Sequence, residues 1–185
     1  MKALVVYDPK SKFTLEALKA VEYKLAELEN LELVYVADHN HERMENPKEY
    51  NLKMEKEGPE WITPEPEVME QIKDADILMT SFCGVTRAML EAGKNLKLVF
   101  MMRSGWENCN VKAAKELGIP VYTELASASI DQSLDNIVED VRNIGEIFNV
   151  QETANAYADE LQERIDALMD KVSGQSGEPL KVLFM

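Results

Sequence analysis

Short apolar runs alternate with helix-period stretches along most of this chain. Ala3-Leu4-Val5-Val6-Tyr7 is a continuous, partly β-branched run closed by Asp8-Pro9, the pattern of a strand buried on both faces. From Thr14 to Leu28 the apolar positions Leu15, Leu18, Val21, Leu25 and Leu28 recur every three or four residues and predict an amphipathic helix. Leu31 to Val36 returns as a second strand. His39 to Trp61 is charged and aperiodic, contains Pro47, Gly58 and Pro59, and reads as a long irregular excursion. Thr63 offers an N-cap hydroxyl and Pro64 suits a first helical turn, so a short helix is placed there with Val68, Met69 and Ile72 on its apolar face. Asp76 to Thr80 is a third strand. A helix from Thr86 to Ala92 stopped by Gly93, a strand Leu96 to Met101, a helix Asn110 to Leu117 stopped by Gly118, and a strand Ile119 to Tyr122 follow. Five strands alternating with helices predict an α/β fold with a three-layer, mostly parallel five-stranded sheet.

Beyond Thr123 the alternation gives way to C-terminal helices. Ser129 and Gln132 have capping-box spacing, and Ile130, Leu134, Ile137, Val138, Val141, Ile144 and Phe148 line one face up to a break near Asn149. A second helix, Gln151 to Val172, carries Ala154, Tyr157, Ala158, Leu161, Ile165, Leu168 and Met169. After the link Ser173 to Gly177, Leu180 to Met185 reads as a terminal strand, which must join its own sheet, join another copy or aggregate. The predicted organisation is an α/β domain over residues 1–124, with residues 125–185 a helical extension and terminal strand packing on that same domain.

Composition narrows the function classes. Asp and Glu number 34 against 20 Lys and Arg, a formal net charge of −14, so the surface repels phosphate backbones and anionic headgroups. Nucleic-acid and membrane partners are disfavoured. The first apolar run is too short for a signal peptide and no later one spans a bilayer, which predicts a cytoplasmic protein with Cys83 and Cys109 reduced. His39 and His41, flanked by Asp38 and Glu42, have ligand chemistry but no zinc spacing, so a solvated loop is the plainer reading and no metal site is assigned. Cys83, ahead of a helix, could be an activated nucleophile, yet no histidine lies near it in sequence and an ordinary loop thiol is preferred. The methionines are core, and the acidic residues of the last helices a solvated face.

Three stretches carry a family resemblance: Asp74 to Thr86, Leu96 to Val111 (which includes Arg103-Ser104-Gly105-Trp106-Glu107-Asn108), and Ala113 to Val121. Together they resemble the flavodoxin-like substrate domain of D-2-hydroxyacid dehydrogenases, the likeness covering about residues 1–124. The resemblance implies that the loops after strands three and four face a cleft and hold a substrate carboxylate partly through backbone N–H groups. The matching positions are Ser81, Phe82, Cys83 and Gly84 in one loop and Arg103, Ser104 and Gly105 in the other, a vestigial anion site. Ligands of open α/β sheets sit beyond the carboxyl ends of strands, which is physically consistent. The family's hydride chemistry implies an Arg, an acidic residue and a His in a nucleotide domain with a Gly-rich loop. No Gly-x-Gly-x-x-Gly occurs in the sequence, so no catalytic residue and no cofactor are assigned.

Asp135 to Gly145, the long helix after it and Pro179 to Phe184 resemble instead the inter-lobe helix and following strand of periplasmic cobalamin- or siderophore-binding proteins. The juxtaposition suggests an engineered chimera with a seam near Tyr122 to Ser129, a truncated dehydrogenase fragment being the alternative. The sequence-based expectation is thus a non-catalytic flavodoxin-like domain. A weak binding module for a small carboxylate or phosphate, and a protein that homodimerises through its C-terminal helix and strand, are the other readings.

Overall fold

The five apolar runs form five strands: β1 (Lys2–Tyr7), β2 (Glu32–Ala37), β3 (Ile77–Thr80), β4 (Leu98–Met101) and β5 (Val121–Thr123). A computed structural model describes residues 1–10, 15–16, 19, 30–43, 46–125 and 133–174. The sheet order is β2-β1-β3-β4-β5 and every pairing is parallel, the flavodoxin-like order, with its switch point between β1 and β3. The fifth strand lies later than expected, on Val121–Thr123 rather than Ile119 to Tyr122, with the Pro120 carbonyl accepting from Val99 N–H just ahead of it.

Period-two alternation sorts the strand residues between two faces. Leu4, Val6, Val36, Leu78, Val99 and Met101 point to one core with Val68, Ile72, Met89, Leu90, Ala113 and Ala114 from the helices. Ala3 and Val5 alternate with them and are buried as well, so β1 is covered on both faces as its unbroken apolar run predicts. Each fully buried Leu or Val contributes roughly 1.5–3 kcal/mol relative to exposure.

The segment read as an irregular excursion holds a helix, α1 (Pro47–Glu57). Asn46 caps it by accepting from Lys48 N–H, Pro47 sits in its first turn, and Gly58 (φ 71°) ends it by donating to Met54 O. Proline and glycine at those places are helix boundaries rather than loop markers. Among the described side chains of this helix Tyr50 and Met54, one turn apart, are the buried ones, joining Ile62 and Trp61 in a satellite cluster, and two apolar positions are too few to show a period. The next helix, α2 (Pro66–Gln71), starts two residues later than expected: Pro66, not Pro64, occupies the first turn, and Glu65, not Thr63, is the cap residue, without a side-chain cap bond. A 3-10 turn, Ile72–Asp74, extends it. Helices α3 (Arg87–Ala92) and α4 (Val111–Leu117) have the expected caps, Thr86 and Asn110 at the start and Gly93 and Gly118 at the end.

The chain divides into two compact units, Met1–Ala128 and Ser129–Met185. In the second, α5 (Asp135–Ile147) and α6 (Gln151–Ser173) form a helical pair around Val138, Ala158 and Ile165. A Cβ on Gly145 would collide with that of Ala154, so the glycine permits close approach near the turn, where Asn149 adopts φ 56°. Most of the expected helix at Thr14 to Leu28, the capping pair Ser129 and Gln132, and the strand Leu180 to Met185 lie outside the described residues. No described helix is long and apolar enough to cross a membrane.

Candidate functional site

At the carboxyl edge of the sheet the parallel strands release four loops side by side. The ends of β1 and β2 carry carboxylates. Asp8 accepts from Lys10 N–H (2.8 Å) and lies 2.7 Å from His41 Nδ1, while Asp38 accepts from the backbone and side-chain nitrogens of Asn40. The His41 ring stacks on Tyr50, 4.9 Å between centroids, so α1 closes over these groups. Burial raises the Asp38 carboxyl above the usual carboxylate range, and burial together with the Asp38 charge holds the Tyr50 phenol up.

The loop after β3 is fastened to the loop after β4 by one side chain. Asn108, wholly buried, donates from Nδ2 to Ser81 O (3.1 Å) and Cys83 O (2.7 Å). The backbone carbonyl of Asn108 accepts from Val85 N–H, and Asn110 N–H returns to Val85 O, a one-residue parallel bridge between the loops. Ser81 Oγ donates to Met102 O at 3.2 Å. Gly84 packs closely: a Cβ there would press into the tip of Ile62 and against Met54 and Pro59.

Of the residues expected at an anion site, these contacts bring Ser81, Phe82, Arg103 and Gly105 together. The Arg103 guanidinium lies over the Phe82 ring at 5.2 Å, a cation–π contact bridging the two loops. Among the described residues, the N–H groups of Phe82, Cys83, Ser104 and Gly105 donate to no other group. Guanidinium and free backbone donors together can hold a carboxylate or phosphate. The Cys83 side chain, and the side on which Gly84 would carry one, turn inward instead. Cys83 is 2% exposed, and burial, followed by the Asp38 charge, pushes its thiol well up, which removes the nucleophile reading. Both cysteines are free, and burial takes Cys109 up to about 12.

His39 and His41 part company: His39 sits 2.6 Å from Glu42 at the surface, and His41 pairs with Asp8. Among the described residues no three His, Cys, Asp or Glu side chains are arranged to hold a metal.

Sequence reasoning missed Asn108 and the Asp8–His41 pair. Asn108 stands inside the stretch that carried the resemblance, but nothing in its spacing marks it; Glu107 beside it stands out from the sequence as a departure from the family, which has a second glycine there in many members. Asp8 read only as part of a turn.

A family model for the D-isomer specific 2-hydroxyacid dehydrogenase catalytic domain matches residues 32–132, more than half of the chain. Solved structures similar to the chain include 3-phosphoglycerate dehydrogenase from Entamoeba histolytica, at 14% identity and TM-score 0.46, matched over 87% of this chain and 52% of that one. The NAD-dependent formate dehydrogenase of Staphylococcus aureus is 17% identical at TM-score 0.44, over 79% and 38%. The D-lactate dehydrogenase of Escherichia coli is 18% identical at TM-score 0.42, over 84% and 42%. The chain therefore spans about half or less of the length of these enzymes. No curated protein matches it. By the family match over β2 to β5 and the segment beyond, the chain belongs to the D-isomer specific 2-hydroxyacid dehydrogenase family, through its catalytic domain.

Proposed function

We propose that the opening between the loops after β3 and β4 binds a small carboxylate or phosphate, and that these 185 residues transfer no hydride of their own. The observation that carries the first part is the Arg103 guanidinium on Phe82 beside the unengaged N–H groups of Ser104 and Gly105. The absence of any Gly-x-Gly-x-x-Gly and the engagement of His39 and His41 with Glu42 and Asp8 support the second. Titrating pyruvate, 2-ketoglutarate and phosphate while following the amide resonances of Ser81 to Gly84 and Ser104 to Gly105 tests the binding. No shift at millimolar ligand sinks it. Turnover of any 2-keto acid with NADH by this chain would overturn the non-catalytic reading.

The second unit admits a reading of separate origin. The resemblance of its sequence to an inter-lobe helix favours that reading, whereas the family match, which runs through Ala128 to residue 132, favours one continuous origin. Leu168, Met169 and Val172 stand exposed near the end of α6, which favours self-association through that helix. A monomer mass unchanged with concentration in light scattering would argue against dimerisation.

A further inference from the structure

Beside Arg103 stands a half-exposed carboxylate with one buried oxygen that takes no hydrogen bond. Glu107 Oε2 is shut off from solvent, takes no hydrogen bond, and lies 3.6 Å from the nearest Arg103 guanidinium nitrogen. That distance is an ion pair but not the two short N–H···O bonds an arginine fork makes with a well-placed carboxylate. Both groups lie over Gly105, on the side where a side chain would project: a Cβ there would run into Glu107 Oε2 and the Arg103 guanidinium. Arg103 is thus held between the Phe82 ring from one loop and the Glu107 carboxylate from its own.

We propose that Glu107 is an internal occupant of the anion site, a tethered carboxylate that an incoming carboxylate or phosphate must displace from Arg103, so that residue 107 sets the affinity of the site. The inference rests on the anion-binding reading above and deepens it. A buried carboxylate oxygen without hydrogen bonds is poorly stabilised where it is, and a few side-chain rotations carry it to water. A ligand carboxylate in its place can take both the guanidinium fork and the neighbouring N–H groups. Glu107 therefore keeps Arg103 partnered while the site is empty, weakens binding of anions, and repels any that enter beside it. The displacement cost is common to all ligands, and the repulsion that remains is larger for a dianion, so Glu107 weakens phosphate binding at least as much as pyruvate binding.

The test compares the full chain with Glu107→Gln, which keeps the shape and removes the charge, and with Glu67→Gln, an exposed control that changes net charge equally elsewhere. Pyruvate and inorganic phosphate are titrated against each, following the Ser104 and Gly105 amides and the Arg103 side-chain resonance. Glu107→Gln is expected to lower Kd by about threefold to tenfold, the size of an exposed-to-half-buried ion pair, and at least as much for phosphate as for pyruvate. The control should not move it. If both variants and the parent bind equally, the internal-occupant inference fails while anion binding stands. If none shows shifts at these amides, anion binding itself fails and takes the inference with it. Should Glu107→Gln fail to fold, judged by amide dispersion, Glu107→Asp is used instead; the shorter arm gives up part of the contact, and an unchanged Kd overturns the inference.

Discussion

Asn108 shows how one side chain can shape a site that it does not line. Its amide nitrogen satisfies two carbonyls of the loop after β3 in a place water does not reach. Replacing it by alanine orphans both, and unsatisfied buried acceptors make Asn108→Ala destabilising by about 2–4 kcal/mol. Urea unfolding measures this, and an unchanged midpoint would show that the loop holds itself. The loop's N–H groups should also change environment, so the Phe82 and Cys83 amide resonances are expected to move further than those of α4. Gly84 makes the complementary case. A valine there pushes into Ile62, Met54 and Pro59, an overpacking worth about 1–3 kcal/mol, which the same experiment reads as a lowered midpoint.

At the scale of elements, α1 rests on its two ends. Asn46 supplies the cap, and Gly58 turns the chain out at φ 71° and ψ −168°, a region that only glycine enters without strain. Asn46→Ala is expected to cost about 1 kcal/mol and Gly58→Ala about 1–3 kcal/mol, both seen as lower urea midpoints. Equal stability of the glycine variant would mean that the turn can rearrange. The strands were legible because each is an unbroken apolar run between turn signals, and α3 and α4 because their caps and periods agree. The sequence hid α1 because its burial depends on two residues and on Ile62 and Trp61 beyond its end. Packing partners distant in sequence leave no period to read. The loops of the anion site were legible only through family likeness. Asn108, which shapes them by contacts 25 and 27 residues back, was not, because hydrogen-bond closure across a sheet edge depends on register, and register is absent from local pattern.

For the sheet unit as a whole, two carboxylates give stability opposite dependence on pH. Asp76 accepts from Lys97 Nζ at 2.6 Å and from Lys2 N–H at 2.8 Å, joining β1 and the lead-in to β4 at the far edge from the site. The Lys97 ammonium, then the Lys2 N–H, hold its carboxyl below 3.8. Its contribution is therefore complete above 3.8 and lost as pH falls through the lowered folded value. Asp38 is raised above 3.8, first by burial and also by the Glu65 charge. Its contribution is complete below 3.8 and lost as pH rises through the raised folded value, because the fold then holds a buried charge that the unfolded chain keeps in water. Two substitutions separate the effects. Asp76→Asn should be less stable than the parent at pH 7, with the deficit closing as pH drops below 3.8 and the parent's own carboxylate is protonated. Asp38→Asn should gain on the parent as pH rises from 3.8 through neutrality, whatever the constant offset from altered hydrogen bonds to Asn40. Urea midpoints of the three proteins between pH 3 and pH 7 measure both slopes. Difference curves flat with pH, or sloping the same way, would show that the two carboxylates do not feel the surroundings described for them. Opposite slopes would place the ion-paired edge and the buried edge of one sheet under opposing control by protons, with the anion opening on the buried side.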